Sequence, residues 1–376
     1  MLVGASEFTS GITSQLTKLN EEAEAGKATI ALFAEREVPK VKYEVQPIFP
    51  EFETGRAVGD GIQPVLVDLD KQDVGSEGIV AALISKFCKS NSSTSLSHPG
   101  PDKLRANRVR KIVIVTDFIG SGRRISEMLD AFSKVATLQS WQSYRLLTYH
   151  VVCYSATDLG LQSLARHPLR PSVSVHIACP VIDEAFEGTE LGEVKQLCLK
   201  YPKMKSRFPF GFNNTGSLIA FSHGIPNNAP QILHSSRAGW KPLFKGRSTL
   251  ASNLDAIADS SELLQQNSQR VLRVRDAKQL LTDSEGELWA HAMLTLDAVN
   301  KGLRTPTKLS ARTQIPMLRV QEILKIASEA GWLTPNLSLT RLGRREIRWF
   351  RMFRSSADDL AYPENELYFP SQLRAP

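Results

Sequence analysis

Asp117, the small turn Gly120-Ser121-Gly122 and the arginines Arg123 and Arg124 fall within eight consecutive residues, and together they can hold a phosphate. They sit in the stretch IVIVTDFIGSGRRISEMLD, residues 112–130. The run from Ile112 to Thr116 is strand-forming, and Ile125, Met128 and Leu129 have the spacing of one helix face. A buried strand that delivers a Gly/Ser turn to a helix start leaves backbone N–H groups converging on one point. The helix dipole there favours negative charge. The two guanidinium groups suit phosphate oxygens, and the acid at the edge suits sugar hydroxyls. Any switch-point strand with a tight turn shares part of this pattern; strand, acid, loop and arginines together point to a sugar phosphate.

The nine residues Thr116, Asp117, Phe118, Ile119, Gly120, Ser121, Gly122, Arg123 and Arg124 resemble the phosphoribosyl-diphosphate signature of phosphoribosyltransferases. The resemblance implies that all nine form the phosphate and ribose site, that Asp117 is the second of two acids on the ribose and the candidate catalytic residue, and that Gly120 to Arg124 wrap the 5′-phosphate. It also implies phosphoribosyl diphosphate or a nucleotide as ligand, with Mg2+ carried by that ligand. Two positions depart from the signature. Thr116 replaces the first acid, and Arg124 replaces a loop-closing Thr or Ser. Transfer chemistry and ligand sensing without catalysis therefore both stay open.

Other elements must position this loop. Thr9 to Glu24 and Thr29 to Glu37 read as helices, forming a helical lead-in over residues 1–40. Pro64 to Leu69 reads as a strand, followed by Val74-Gly75-Ser76-Glu77-Gly78 and a helix from Ile79 to Phe87. By the resemblance, Val74 to Gly78 is the pyrophosphate loop; as a sequence it is equally a plain strand-to-helix turn. Lys89 to Arg105 is rich in Ser, Pro and Gly, so a mobile linker is expected, with His98 solvated in it. Strands at Leu146 to Tyr154 and Ser172 to Cys179, with helices at Asp158 to Arg166 and Gly192 to Lys200, complete a parallel α/β sheet covered on both faces. Residues 216–233 start as a strand and break into a Pro/Asn-rich turn. The resemblance makes His223, Asn227, Asn228 and Trp240 candidates for a hood over the base; turn formation and edge packing are their simpler roles. Residues 56–64, 116–122 and 226–244 further resemble phosphoribosyltransferase-like domains of bacterial defence loci, over roughly residues 30–247.

The C-terminal part reads differently. Beyond a polar connector at 248–283, helices at Glu285 to Asn300 (with Ser284 as N-cap), Lys308 to Thr313 and Met317 to Ala330 precede the segment GWLTPNLSLTRLG and a last helix from Arg341. Helices, a hairpin and a closing helix give a winged helix-turn-helix over 284–354, followed by a tail at 355–376 that alternates acidic and aromatic residues. The expected fold is thus an α/β phosphoribosyltransferase-like domain, 1–247, and a winged helix. Lys301 to Arg354 holds twelve Lys and Arg against three Glu. Arg319 and Lys325 share the third helix with Glu322 and Glu329. Arg344, Arg345, Arg348 and Arg351 lie with Arg341 on one face of the last helix, opposite Leu342, Trp349, Phe350 and Phe353. A solvated face explains such a stripe; contact with a nucleic-acid backbone is the functional alternative.

A chain of 376 residues is long for one core, and its +7 charge (pI about 9.2) permits polyanionic partners. No apolar run approaches the ~20 residues of a membrane span, and residues 1–15 lack a signal-peptide layout. Cys88, Cys153, Cys179 and Cys198 have no CxxC spacing, which leads us to expect reduced thiols, no metal site and a cytoplasmic protein. A phosphoribosyltransferase-like domain with a winged helix resembles retron-associated anti-phage effectors, which implies nucleic acid, reverse-transcribed DNA and a reverse transcriptase as partners. It also resembles purine-operon repressors that sense phosphoribosyl diphosphate, although there the winged helix comes first. The oligomeric state is left open.

Overall fold

A computed structural model describes residues 1–63, 76–201, 207–235, 240–247, 249, 260–273, 281 and 284–353. The chain forms two compact units, Met1–Ala258 with Thr305–Gln321, and Asp259–Arg304 with Glu322–Pro376.

The first unit is built on five parallel strands, β1 (Ile30–Ala34), β2 (Ser95–Ser97), β3 (Lys111–Ile119), β4 (Thr148–Ala156) and β5 (Ser172–Ala178), in the order β5-β4-β3-β1-β2. Its helices are α1 (Ala5–Ala25), α2 (Ser76–Ser90), α3 (Pro101–Ala106), α4 (Arg123–Ser133), α5 (Ala136–Ser143), α6 (Asp158–Ala165) and α7 (Gly188–Lys200). A parallel sheet is covered on both faces, so its strands are apolar throughout. Successive side chains point to opposite faces. Thus Ile30, Leu32, Val113 and Val115 join the core under α1 and α2, whereas Ala31, Phe33, Ile112 and Ile114 join the core under α4. Leu2–Val3 pairs in parallel with Ala220–Phe221, fastening the hood-bearing segment beside α1.

Two expectations are corrected. Residues 29–37 are not helical: they hold β1, with every residue from Ile30 to Ala34 buried. Apolar residues on both faces over five positions fit a buried strand as well as a helix, and sheet pairing decides between them. Nor is Lys89 to Arg105 a linker. α2 runs to Ser90, β2 pairs with β1, and Pro101 opens α3 at a first-turn position that costs no hydrogen bond. His98 is accordingly buried, accepting the Ala34 N–H at 2.9 Å and lying edge-on to Phe33. The expected strand Pro64 to Leu69, with Val74 and Gly75, lies outside the described residues. Ser76, Glu77 and Gly78 form the first turn of α2 rather than a loop.

The C-terminal helices are α8 (Ser260–Leu272), α9 (Ser284–Asn300), α10 (Pro306–Thr313), α11 (Met317–Glu329) and α12 (Arg341–Phe353). Leu333 and Leu339 bridge as an antiparallel pair between α11 and α12, in the position of a wing. α10 belongs to the first unit, where Thr305 caps its start and Ser310 Oγ accepts the Ala178 N–H at 3.1 Å. α12 packs through Gly343, Ile347 and Phe350, not through Leu342 and Trp349, which are 45% and 52% exposed. The rotation follows from a close approach: a Cβ on Gly343 would lie 2.4 Å from the Trp332 carbonyl oxygen. The Phe353 side chain lies outside the described residues.

Candidate functional site

β3 ends in the loop Gly120–Gly122, and Gly122 at φ 75° starts α4 with no side chain capping it. Neither glycine has room for a Cβ. At Gly120 it would meet the Asn228 amide at 2.2 Å, and at Gly122 the Gly160 carbonyl oxygen at 2.9 Å. Asn228 is itself held, donating to the Phe212 carbonyl at 3.2 Å and to Thr215 Oγ1 at 2.9 Å. From the other side Thr157 Oγ1 donates to the Gly120 carbonyl at 2.6 Å. The loop is therefore clamped, at a helix N-terminus suited to an anion.

An open cleft lies over this loop, lined by Glu35, Gly120 to Arg124, Phe212, Asn227 and Asn228, among others. Arg123 is exposed, stacks over the Phe212 ring at 4.9 Å and lies 3.6 Å from Glu127. Arg124 turns inward, with Nε 2.9 Å from Glu35 Oε1 and Nη2 paired with Glu77. Glu77 thus reaches the site from the first turn of α2.

The expected acid Asp117 is placed differently. Its Oδ2 pairs with His223 Nε2 at 3.1 Å, and it is not among the residues lining the cleft. The His223 ring stacks on Phe221 with centroids 5.0 Å apart and lies edge-on to Phe8. Burial would raise the Asp117 pKa, but bonds from His223, Ser76 and the Phe118 backbone outweigh it and hold the carboxyl below its usual value. Of the other hood candidates, Asn227 and Asn228 line the cleft. Trp240 packs on Tyr201 at 4.4 Å and donates to the Ile232 carbonyl at 2.7 Å, so its contacts are those of domain packing.

Glu35 escaped the sequence reading. It follows β1, and the register that pairs Ala34 with Val115 sets it beside Thr116 on the same face. Thr116 Oγ1 donates to Glu35 Oε2 and lies 3.3 Å from Asp117 Oδ1. Burial pushes the Glu35 carboxyl up to about 7, against the opposing pull of Arg124 and Thr116, while Asp117 and Glu77 add to the rise. Reading residues 29–37 as a helix concealed the register that makes this meeting visible. β1 also precedes Val74 to Gly78 in the chain, so the stretch following the first core strand is Glu35 to Pro39. In it Glu35, Arg36 and Val38 are buried, and Arg36 donates to the Gln63 carbonyl at 2.8 Å.

In the C-terminal helices, Lys325, Arg344, Arg345 and Arg348 are exposed and Arg319 is half-buried. Arg351 leaves the expected stripe: it binds the buried Asp297 at 2.6 Å, alongside Lys301 at 2.8 Å. Among the described residues no group of three or more His, Cys, Asp or Glu could hold a metal ion, and no helix is long and apolar enough to cross a membrane. The four cysteines are buried and unpaired.

Residues 65–245 match the family described as PRTase-CE, and residues 293–375 match the family described as wHTH-PRTase associated. No curated protein and no solved structure matches the chain.

Proposed function

Because the chain joins a phosphoribosyltransferase-like domain to an associated winged helix, we propose that the cleft binds a 5-phosphorylated ribose, as phosphoribosyl diphosphate or a nucleotide. The observation that carries this is the clamped Gly120–Gly122 loop opening α4 beneath a cleft that also holds Arg123 and Arg124. Its N–H groups and guanidinium groups would take the 5′-phosphate, and the sugar would turn toward the carboxyl group that lines the cleft, that of Glu35. Any Mg2+ would come on the diphosphate. Calorimetric titration with phosphoribosyl diphosphate tests this against Gly122→Asp, which adds negative charge and a Cβ where Gly160 leaves none. Binding should be abolished; unchanged affinity removes the site.

For the whole protein we propose an effector of a bacterial anti-phage system of the retron type. Its winged helix would contact nucleic acid or a reverse transcriptase–DNA complex that restrains it. The position of the winged helix after the α/β domain supports this over a purine-type repressor. Thr116 in place of an acid supports the alternative of a regulator that senses the ligand without turning it over. Co-expression with a reverse transcriptase partner separates them: an effector is toxic when its restraint is loosened, whereas a regulator changes transcription of a target operon.

A further inference from the structure

The two positions at which the loop departs from the phosphoribosyl-diphosphate signature, Thr116 and Arg124, are the two side chains that grip Glu35. The coincidence has a chemical reason. An acid at residue 116 would set a second carboxylate against Glu35 on the neighbouring strand, where like charges repel. A hydroxyl there can donate to it instead. Arg124 then supplies the cation that a buried carboxylate needs.

We propose that Glu35 is the acid that binds the ribose hydroxyls in this cleft, moved from the strand that carries the loop to the adjacent strand; this rests on the sugar-phosphate reading above. Glu35 lines the cleft, whereas Asp117 is turned to His223. It already accepts a hydroxyl proton, that of Thr116. Each carboxylate oxygen accepts two hydrogen bonds, so Oε1 beside Arg124 and Oε2 on Thr116 each keep one acceptor position for a sugar hydroxyl. The phosphate would lie on Gly120–Arg124 and the hydroxyls on Glu35, with Arg124 between them. Sugars lacking the 2′-hydroxyl would lose a bond to a charged acceptor.

Titration of the full chain with ribose 5-phosphate and with 2-deoxyribose 5-phosphate at pH 8, where the Glu35 carboxyl is ionised, reads this directly. The unaltered protein should prefer ribose 5-phosphate by about tenfold or more, the effect of one charge-assisted hydrogen bond. Glu35→Gln should bind the two sugars alike while still holding phosphate, and adding Thr116→Asp to it should bring the preference back. Should Glu35→Gln not fold, Glu35→Asp keeps the charge by Arg124 but shortens the reach, and the preference should shrink. A preference unchanged in either Glu35 variant overturns the proposal. An unaltered protein that binds both sugars equally also overturns it and leaves the phosphate site standing. One that binds neither removes the sugar-phosphate reading as well.

Discussion

At the scale of single residues, Glu35 makes stability depend on pH. Its folded pKa of about 7 stands above the ordinary 4.5, with burial as the main cause. The native state therefore keeps a proton that the unfolded chain has released. On this account stability is full below about 4.5 and falls as pH rises toward 7. Urea midpoints measured across that window should show the decline, and in Glu35→Gln it should flatten; a parallel curve in the variant assigns it to another group. Asp117→Asn should leave phosphate binding intact, since Asp117 does not line the cleft, but free His223 from its ionised partner. If the protein transfers phosphoribosyl groups, pyrophosphate release should change little in Asp117→Asn, because the ribose acid is Glu35; a fall of about 10²-fold would return that role to Asp117. The phosphate loop was legible because its chemistry is local: acid, small turn and arginines adjoin in sequence. Glu35 was not, because its meaning depends on a strand register 81 residues away from Thr116.

At the scale of elements, the loop is shaped as much by what presses on it as by its own glycines. Gly120→Ala would drive a methyl into the Asn228 amide, with a cost of about 1–3 kcal/mol. Asn228→Gly vacates that space and gives up the bonds to Phe212 and Thr215. The double variant should then be no less stable than Asn228→Gly alone, measured by urea unfolding; additive losses would show that the clash is not the cause. Strands β3, β4 and β5 and helices α1, α4 and α6 were readable from apolar periodicity, which survives because each is long and flanked by clear turns. β1 and β2 were not. β1 is five residues with no polar face, and β2 is three residues at the sheet edge, where Ser95 and Ser97 carry no hydrophobic signal. Tertiary pairing, not propensity, makes both of them strands.

At the scale of the whole molecule, the proposed nucleic-acid contact falls to a smaller arginine set than the sequence suggests. Arg344→Ala with Arg348→Ala should flatten the log–log salt dependence of binding by about two phosphates' worth, near 0.9 each on duplex. Sequence preference should hardly change. Arg351→Ala should leave the slope alone and instead destabilise the C-terminal unit by about 1–2 kcal/mol, because the buried Asp297 keeps only the exposed Lys301. A slope indifferent to Arg344 and Arg348 would assign the winged helix to protein contacts. The winged-helix order was legible from helix lengths and the hairpin, while the rotation of α12 was not. It hangs on the close approach at Gly343, which only the folded backbone reveals.

The clamp on the phosphate loop has a bearing on how the protein is born. The loop emerges from the ribosome with residues 120–122, but the wedge that fixes it, Asn228, follows 108 residues later. At ordinary synthesis speeds that is a delay of about 5–20 s. Through that interval the nascent chain carries a phosphate loop without its clamp, and His223 has yet to reach Asp117. The phosphate site is thus assembled only after translation has passed residue 228.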